Sequence, residues 1–374
     1  MEAKKRTPFL RIPAVQTLIA SLLCILLGLI VGYIALLIIN PAGAWGAIMA
    51  IVKNFWTYDL PVQQLKYLGN TLVKTAPLLM CSLSVLFAYK VGLFNIGAAG
   101  QYVAGAGATL YCALALQLPW YVCLIAAALA GAVLGCISGA LKAYANVNEV
   151  ISCIMLNWIG LYTVNSILSG VKDPTSPYTL KLATANAAAV LPSLGLEKLF
   201  SNNRYVSIAI PLAIIIAVLI WLLLSKTKLG YELKATGMNK NAAKYAGMKE
   251  KYNIILTMAI AGALAGLGAA MLYLTAFEEW SVTQSSVPAM GFNGIAAAFL
   301  GGLHPIGVIF SSFFIQHITN GGGYVDMTMY SSDISDFISS LIIYLCGFVL
   351  FFKQFMNSRL NRRDEMMLRK GGDR

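Results

Sequence analysis

Five uncharged polar residues stand out by their placement: Asn95, Gln101, Asn157, Asn293 and His304 all lie in or beside long apolar runs. An amide or imidazole removed from water needs a hydrogen-bonding partner, and leaving one unpaired in hydrocarbon costs on the order of several kcal/mol. Two readings fit these residues. Either neighbouring groups satisfy them, or they line a path for an uncharged polar solute that hydrogen-bonds weakly and then leaves. A lone histidine beside a helix break is more often structural than a ligand. The apolar runs hold no carboxylate pair, no histidine cluster and no Ser/His/Asp arrangement, and the seven cysteines form no C-x-x-C. That argues against proton coupling, a metal site and intramembrane catalysis. There is also no G-x-x-x-x-G-K-[ST], so the chain is expected to hydrolyse no nucleotide, to bind no cofactor and not to be an enzyme.

Composition says what kind of element positions these groups. With 59% hydrophobic and 11% charged residues, the chain is far more apolar than a soluble domain. The expected fold class is an all-α, polytopic integral membrane protein. The net charge of +12 comes from Lys and Arg gathered at the ends and in one central loop. This is the positive-inside pattern of the lipid bilayer and not a nucleic-acid surface. The sequence divides into a basic cytoplasmic N-terminus (1–15), a transmembrane region (16–352) and a basic cytoplasmic tail (353–374).

The run Gln16 to Ile39 exceeds the ~20 residues a crossing needs and is longer than a signal-peptide core, so it is expected to stay as the first helix. Asn40 to Lys66, with Trp45, Trp56 and Tyr58, suits an outer interfacial element. Further spans are expected over 67–89, 91–110, 119–144, 151–168, 205–224 and 253–275. The segment Val91 to Leu110 carries Gly92, Gly97, Gly100, Gly105 and Gly107. Each glycine lowers helix propensity by about 1 kcal/mol, so this density serves either close helix packing or a broken helix along a substrate path.

The last third sets the topology. Pro288 to Thr319 is interrupted by Gly301, Gly302 and Pro305. A single crossing there places Asp326, Asp333 and Asp336 inside and the basic tail outside, against the charge rule. Two crossings, turning at Gly301 to Pro305, give about ten crossings in all, including broken or re-entrant short helices, with both termini cytoplasmic. The arm from Gly291 to Leu300 spans only ~15 Å and must be shielded by protein or line a cavity.

The cytoplasmic loop 225–252 carries seven lysines against Glu232 and Glu250. Asn239 can cap a short helix and Gly247 can end it in the left-handed conformation. The face formed by Met238, Ala242 and Tyr245 follows i, i+4, i+7 spacing. The segment is either a docking element for a cytoplasmic partner or an ordinary basic inside loop.

Four stretches carry a family resemblance: GLFNIGAAGQ (Gly92 to Gln101), NEVISCIMLNWI (Asn148 to Ile159), GMNKNAAKYAGM (Gly237 to Met248) and GFNGIAAAFLGGLHPIG (Gly291 to Gly307). Together they resemble the permease subunits of bacterial ABC importers in the branched-chain amino acid, simple sugar and nucleoside group, nearest to the nucleoside type. Two positions depart from the family pattern: Ala99 stands where Glu is usual, and Leu303 where Asn is frequent. The resemblance implies alternating access for a nucleoside, a purine nucleoside by preference, delivered by an extracytoplasmic binding lipoprotein. Separate ABC ATPase subunits would use the ATP and Mg. It also implies a second, different permease subunit, a bacterial plasma membrane location, and ATPase contact through Met238, Asn239, Ala242, Lys244 and Tyr245. Asn95, Gln101, Asn157, Asn293 and His304 become the expected substrate path. The alternatives are a sugar or branched-chain amino acid permease of the same group, or a secondary transporter independent of ATP.

Overall fold

The computed structural model describes residues 13–326, 328–330, 337, 340–341, 343–345 and 347–359. Asp333, Asp336 and the charged residues of both extreme termini lie outside the described residues. The described chain is all-helical, with only isolated bridges between extended residues (Lys172 with Thr179, Tyr178 with Ser281). Its helices are α1 (Pro13–Ile39), α2 (Ala44–Lys53), α3 (Pro61–Lys90), α4 (Ala98–Leu110), α5 (Trp120–Ala145) and α6 (Glu149–Leu168). The connection to the next long helix carries the short α7 (Leu182–Ala185) and α8 (Leu196–Leu199). It is followed by α9 (Ala209–Lys226), α10 (Lys228–Met238), α11 (Lys240–Tyr245), α12 (Glu250–Tyr273), α13 (Ala289–Leu300) and α14 (Pro305–Gly322). Among the described residues, α1, α3, α5, α6, α9 and α12 are long and apolar enough to cross a membrane. The protein is a multi-pass membrane protein.

Helices in lipid gain little from hiding apolar side chains from one another, so their association depends on close backbone approach and interhelical hydrogen bonds. The α5–α12 seam is built that way. Gly131, Gly135 and Gly139 recur every fourth residue along one side of α5 and meet the backbone of α12 directly. A methyl group on Gly262 would overlap the Gly131 carbonyl, and one on Gly105 of α4 would overlap Gly266. Small residues here fuse α4, α5 and α12 into a block.

The buried apolar residues form two main cores. The larger joins α3, α4, α5, α9 and α12 and includes Phe87, Tyr102, Leu161, Met271 and Trp280. The smaller joins α1, α2 and α14 through Ala20, Cys24, Ile48, Ile51, Ile315 and Ile318. Helices α3 and α13 serve both cores, as Leu78 and Ala297 face the smaller one and Met80 and Ala298 the larger.

The interruption expected between Gly301 and Pro305 is a tight turn. Gly302 and Leu303 take left-handed backbone conformations (φ +67° and +54°), and Pro305 opens α14. Helix α3 begins at Pro61, ahead of the apolar run, because proline is accommodated at a first helical position and Gln63 and Gln64 close on the Leu60 carbonyl. The connection that carries α7 and α8 is pinned over the helix ends: Thr179 N–H donates to the Trp280 carbonyl (2.9 Å), Leu191 N–H to that of Leu274 (2.9 Å), and Asn186 Nδ2 to that of Ala113 (2.9 Å).

Candidate functional site

The stretch 91–97 between α3 and α4 is an elbow without helix, and three of the five polar residues converge on it. Asn95 Nδ2 donates to Ser84 Oγ (2.9 Å) and to Gln101 Oε1 (2.8 Å), while Gln101 Nε2 returns a bond to Asn95 Oδ1 (3.2 Å). The α4 N-cap is Gly97, which has no side chain to satisfy the first amides of the helix. Asn157 of α6 supplies that cap from another helix. Its Oδ1 accepts from Gly100 N–H (2.8 Å) and its Nδ2 donates to the Ile96 carbonyl (3.2 Å). Asn95, Gln101 and Asn157 are 0%, 1% and 2% exposed, so in this conformation their amides hold helices together.

Asn293 and His304 are placed differently. Asn293 sits half-buried on α13 and hydrogen-bonds no described residue. His304 is exposed, and its Nδ1 accepts from Ile306 N–H (3.3 Å) as the cap of α14. Partial withdrawal of the ring from water first, and then the positive charge of Lys90, lower its proton affinity.

Replacing Asn157 by alanine leaves a buried N–H and a buried carbonyl without partners. A loss of about 1–3 kcal/mol in stability is expected, read as a lower unfolding temperature of the detergent-solubilised protein. If these amides also form the path, uptake at matched protein amount falls in Asn95→Ala and Asn157→Ala.

On the opposite side of the elbow lies the lysine-rich loop. Asn239 Oδ1 accepts from Ala242 N–H (3.0 Å) to start α11, and Gly247 ends it at φ +79°. Ala242, Lys244 and Tyr245 point outward, with Met238 89% and Tyr245 94% exposed. The loop is also more structured than its composition suggests. Helix α10 is capped by Thr227 Oγ1, which accepts from Gly230 N–H (3.0 Å), and is tied to α12 by Asn253 Nδ2 donating to Thr236 Oγ1 (2.8 Å). At its end Gly237 lies directly on the backbone of Val91 and Gly92, and Gly92 itself needs φ +77°. The loop therefore bears on the same elbow that holds Asn95, Gln101 and Asn157.

One charged group at depth escaped the polar-residue search. Lys74 lies inside α3, and its Nζ pairs with Glu278 (2.7 Å) and sits 5.3 Å from the centre of the Phe277 ring. A lysine within a span was the available signal, since an intramembrane cation requires a partner. Glu278 of this pair also lines a cavity of about 520 Å³, with Leu110, Arg204, Tyr205, Tyr273 and Phe277 among others.

Apolar spanning helices, an elbow held by buried amides and an exposed lysine-rich segment are the features of a membrane transport subunit. Residues 67–347 match the family described as the permease component of the branched-chain amino acid transport system, and the chain belongs to that family. It is 34% identical over 333 residues to the guanosine ABC transporter permease protein NupP of Bacillus subtilis, covering 87% of this chain and 92% of that protein. It is likewise 34% identical over 319 residues to the nucleoside ABC transporter permease protein NupB of Lactococcus lactis, covering 80% and 86%. A glucose ABC transporter permease protein of Haloferax volcanii is 28% identical over 360 residues, covering 92% and 90%. No solved structure matches the chain.

Proposed function

We propose that this chain is one permease half of an ATP-binding cassette importer for nucleosides, purine nucleosides foremost, in a bacterial plasma membrane. The observation that carries the importer reading is the coupling segment. The end of α10 presents Met238, and the short capped α11 presents Ala242 and Tyr245, to the cytoplasm, with Tyr245 94% exposed, while α10 is fastened to α12 through Thr236 and Asn253. In this reading the neighbouring exposed side chains of Met238 and Tyr245 form one small apolar contact for a partner. The partner in this reading is an ABC ATPase subunit, which consumes ATP and Mg and meets Met238, Asn239, Ala242, Lys244 and Tyr245. The nucleoside preference rests on the two relatives at 34% identity that carry guanosine and nucleoside names. A binding lipoprotein delivers the solute from outside, and a second, different permease completes the passage.

Asn95, Gln101, Asn157, Asn293 and His304 remain the proposed path. Asn95 and Gln101 are unmasked when the elbow moves against α3, because the loop that receives the ATPase bears directly on it, while Asn157 borders them and keeps its bonds to Gly100 and Ile96. About ten crossings with both termini cytoplasmic fit the arrangement at one end of the molecule. Lys353 Nζ donates to Thr17 Oγ1 (2.9 Å), Gly302 packs on Thr17, and Lys90 lies within reach of the charges of Lys234, Lys353 and His304. Thus the start of α1, the 301–304 turn and the lysine-rich loop share a face, as the positive-inside rule requires of a cytoplasmic one. Single cysteines introduced at Lys234, His304 and Arg359, all but Lys234 exposed, should react with an impermeant thiol reagent only from the cytoplasmic side. Labelling of His304→Cys from outside would overturn the two-crossing hairpin.

The functional test is reconstitution. Proteoliposomes containing this chain, the second permease and the ATPase, with binding protein outside and ATP within, should accumulate guanosine. The chain alone under an ion gradient should accumulate none, and uptake by it without ATP would establish a secondary transporter instead. Selective uptake of a sugar by the full assembly would favour the sugar reading.

A further inference from the structure

Among the described spans, exposed tyrosines on α5 keep to the helix ends. Tyr121 and Tyr144 lie one residue inside the first and last positions, where a ring in the lipid interface keeps its polar tip in water. Helix α6 breaks this pattern. Its twenty residues span about 30 Å, and Trp158, the tenth of them, sits at the middle. The Lys142–Glu149 ion pair (2.8 Å) marks the inner end, and the side chain of Tyr162 leans back toward the centre because helical side chains tilt to the N-terminus. Trp158 is 42% and Tyr162 58% exposed, their ring centres 6.2 Å apart with the planes inclined by only 25°.

Neither the Trp158 indole N–H nor the Tyr162 hydroxyl meets a hydrogen-bonding partner among the described residues. The helix has no freedom to turn them inward, because Asn157 fixes its rotation by bonding Gly100 and Ile96 on the other side. Two stranded polar tips at mid-bilayer do not face lipid, where nothing satisfies them. They face water or protein.

We propose that Trp158 and Tyr162 form a stacking platform in the aqueous passage between this chain and the second permease, and that the platform receives the heteroaromatic base of the transported nucleoside. This deepens the nucleoside reading above and rests on it. Each base has a π-face that stacks on an aromatic ring whatever its edge pattern, while the polar tips of the platform remain available to water or to the base edge. Such contact is weak and tolerant of different bases, which suits a site that must release its solute. Ribose, glucose and aliphatic amino acids have no aromatic face and at most lay C–H groups on a ring, so this platform favours nucleosides over the other solutes of the family.

The test uses the full assembly in proteoliposomes. Trp158→Cys, compared with the parent chain and its native cysteines, should react with a hydrophilic methanethiosulfonate, and guanosine should slow that reaction several-fold. Trp158→Ala should reduce guanosine uptake at low concentration tenfold or more at an unchanged unfolding temperature, and Trp158→Phe should recover most of it. No reaction of the Trp158→Cys variant beyond that of the parent would place the helix against lipid or a dry interface and overturn the proposal. Reaction without guanosine protection, or full uptake by Trp158→Ala, would overturn the platform while leaving a nucleoside importer intact. A parent assembly that carries ribose or an amino acid but no guanosine would instead overturn the nucleoside reading.

Discussion

Substitution of Ala242 by arginine should abolish solute uptake while the protein still inserts and accumulates at the normal level. Ala242 is exposed on α11 between Met238 and Tyr245, and its side chain touches nothing that the fold needs. Its N–H completes the cap with Asn239, which a change of side chain leaves in place. Folding cost is therefore small, within about 0.5 kcal/mol for an exposed helical site. Docking cost is large. A long charged side chain at the centre of a small apolar contact must be desolvated without a partner, and loss of a central anchor costs about 2–4 kcal/mol, a thirtyfold to nearly thousandfold weaker complex. The check is paired: uptake in membrane vesicles, and co-purification of the ATPase with the variant chain. Normal uptake would remove α11 from the docking surface.

Gly262→Val should prevent accumulation of the folded protein altogether. At this position the α5 and α12 backbones touch, and added side-chain atoms overlap the Gly131 carbonyl, which as backbone cannot rotate away. Separating the helices would also disturb the neighbouring Gly105–Gly266 contact. Overpacking of this kind costs about 3 kcal/mol or more, a large part of the stability of an ordinary domain. Gly46→Ala is the matching control. It lies inside α2 with open space around it, so a methyl group there should be neutral or stabilise the helix by up to about 1 kcal/mol. Band intensity in membranes and the unfolding temperature of purified protein separate the two outcomes.

Much of this architecture was legible in the chain. Apolar runs with charged or proline-bearing ends placed α5, α6, α9 and α12 within a few residues, because crossing a bilayer imposes both length and composition. Asn239 and Gly247 marked α11, and Gly301 to Pro305 marked the turn before α14, since caps and turns depend on local backbone chemistry. Helix α10 was not legible. Its polar sequence has weak periodicity, and it is secured by particular contacts, Thr236 with Asn253 and Gly237 with Gly92, that join residues far apart in the chain. The glycines of 91–110 signalled close packing but not its partners. That Gly100 meets Asn157, and Gly105 meets Gly266, follows only once α6 and α12 stand beside α4. The candidate site showed the same division. The amides were conspicuous by type, whereas the role of Asn157 as a cap for a helix 57 residues away was not visible from spacing.

The glycine seams also restrict how such a molecule can change shape. Helices in contact backbone to backbone cannot slide past each other without collision, so α4, α5 and α12 travel as one piece, and α6 is tethered to that piece through Asn157. Helix α13 is locked to it as well, with Gly291 against the Ala99 backbone of α4 and Gly294 against that of Cys81 in α3, whereas α14 meets α3 through side chains such as Ser312 on Ser82 (3.3 Å) and gives way more easily. Rocking of one slab against the other, hinged on the long α3, is the motion this construction leaves open. A crosslink from α14 to α9 would then arrest the pump, and one from α5 to α12 would leave it running.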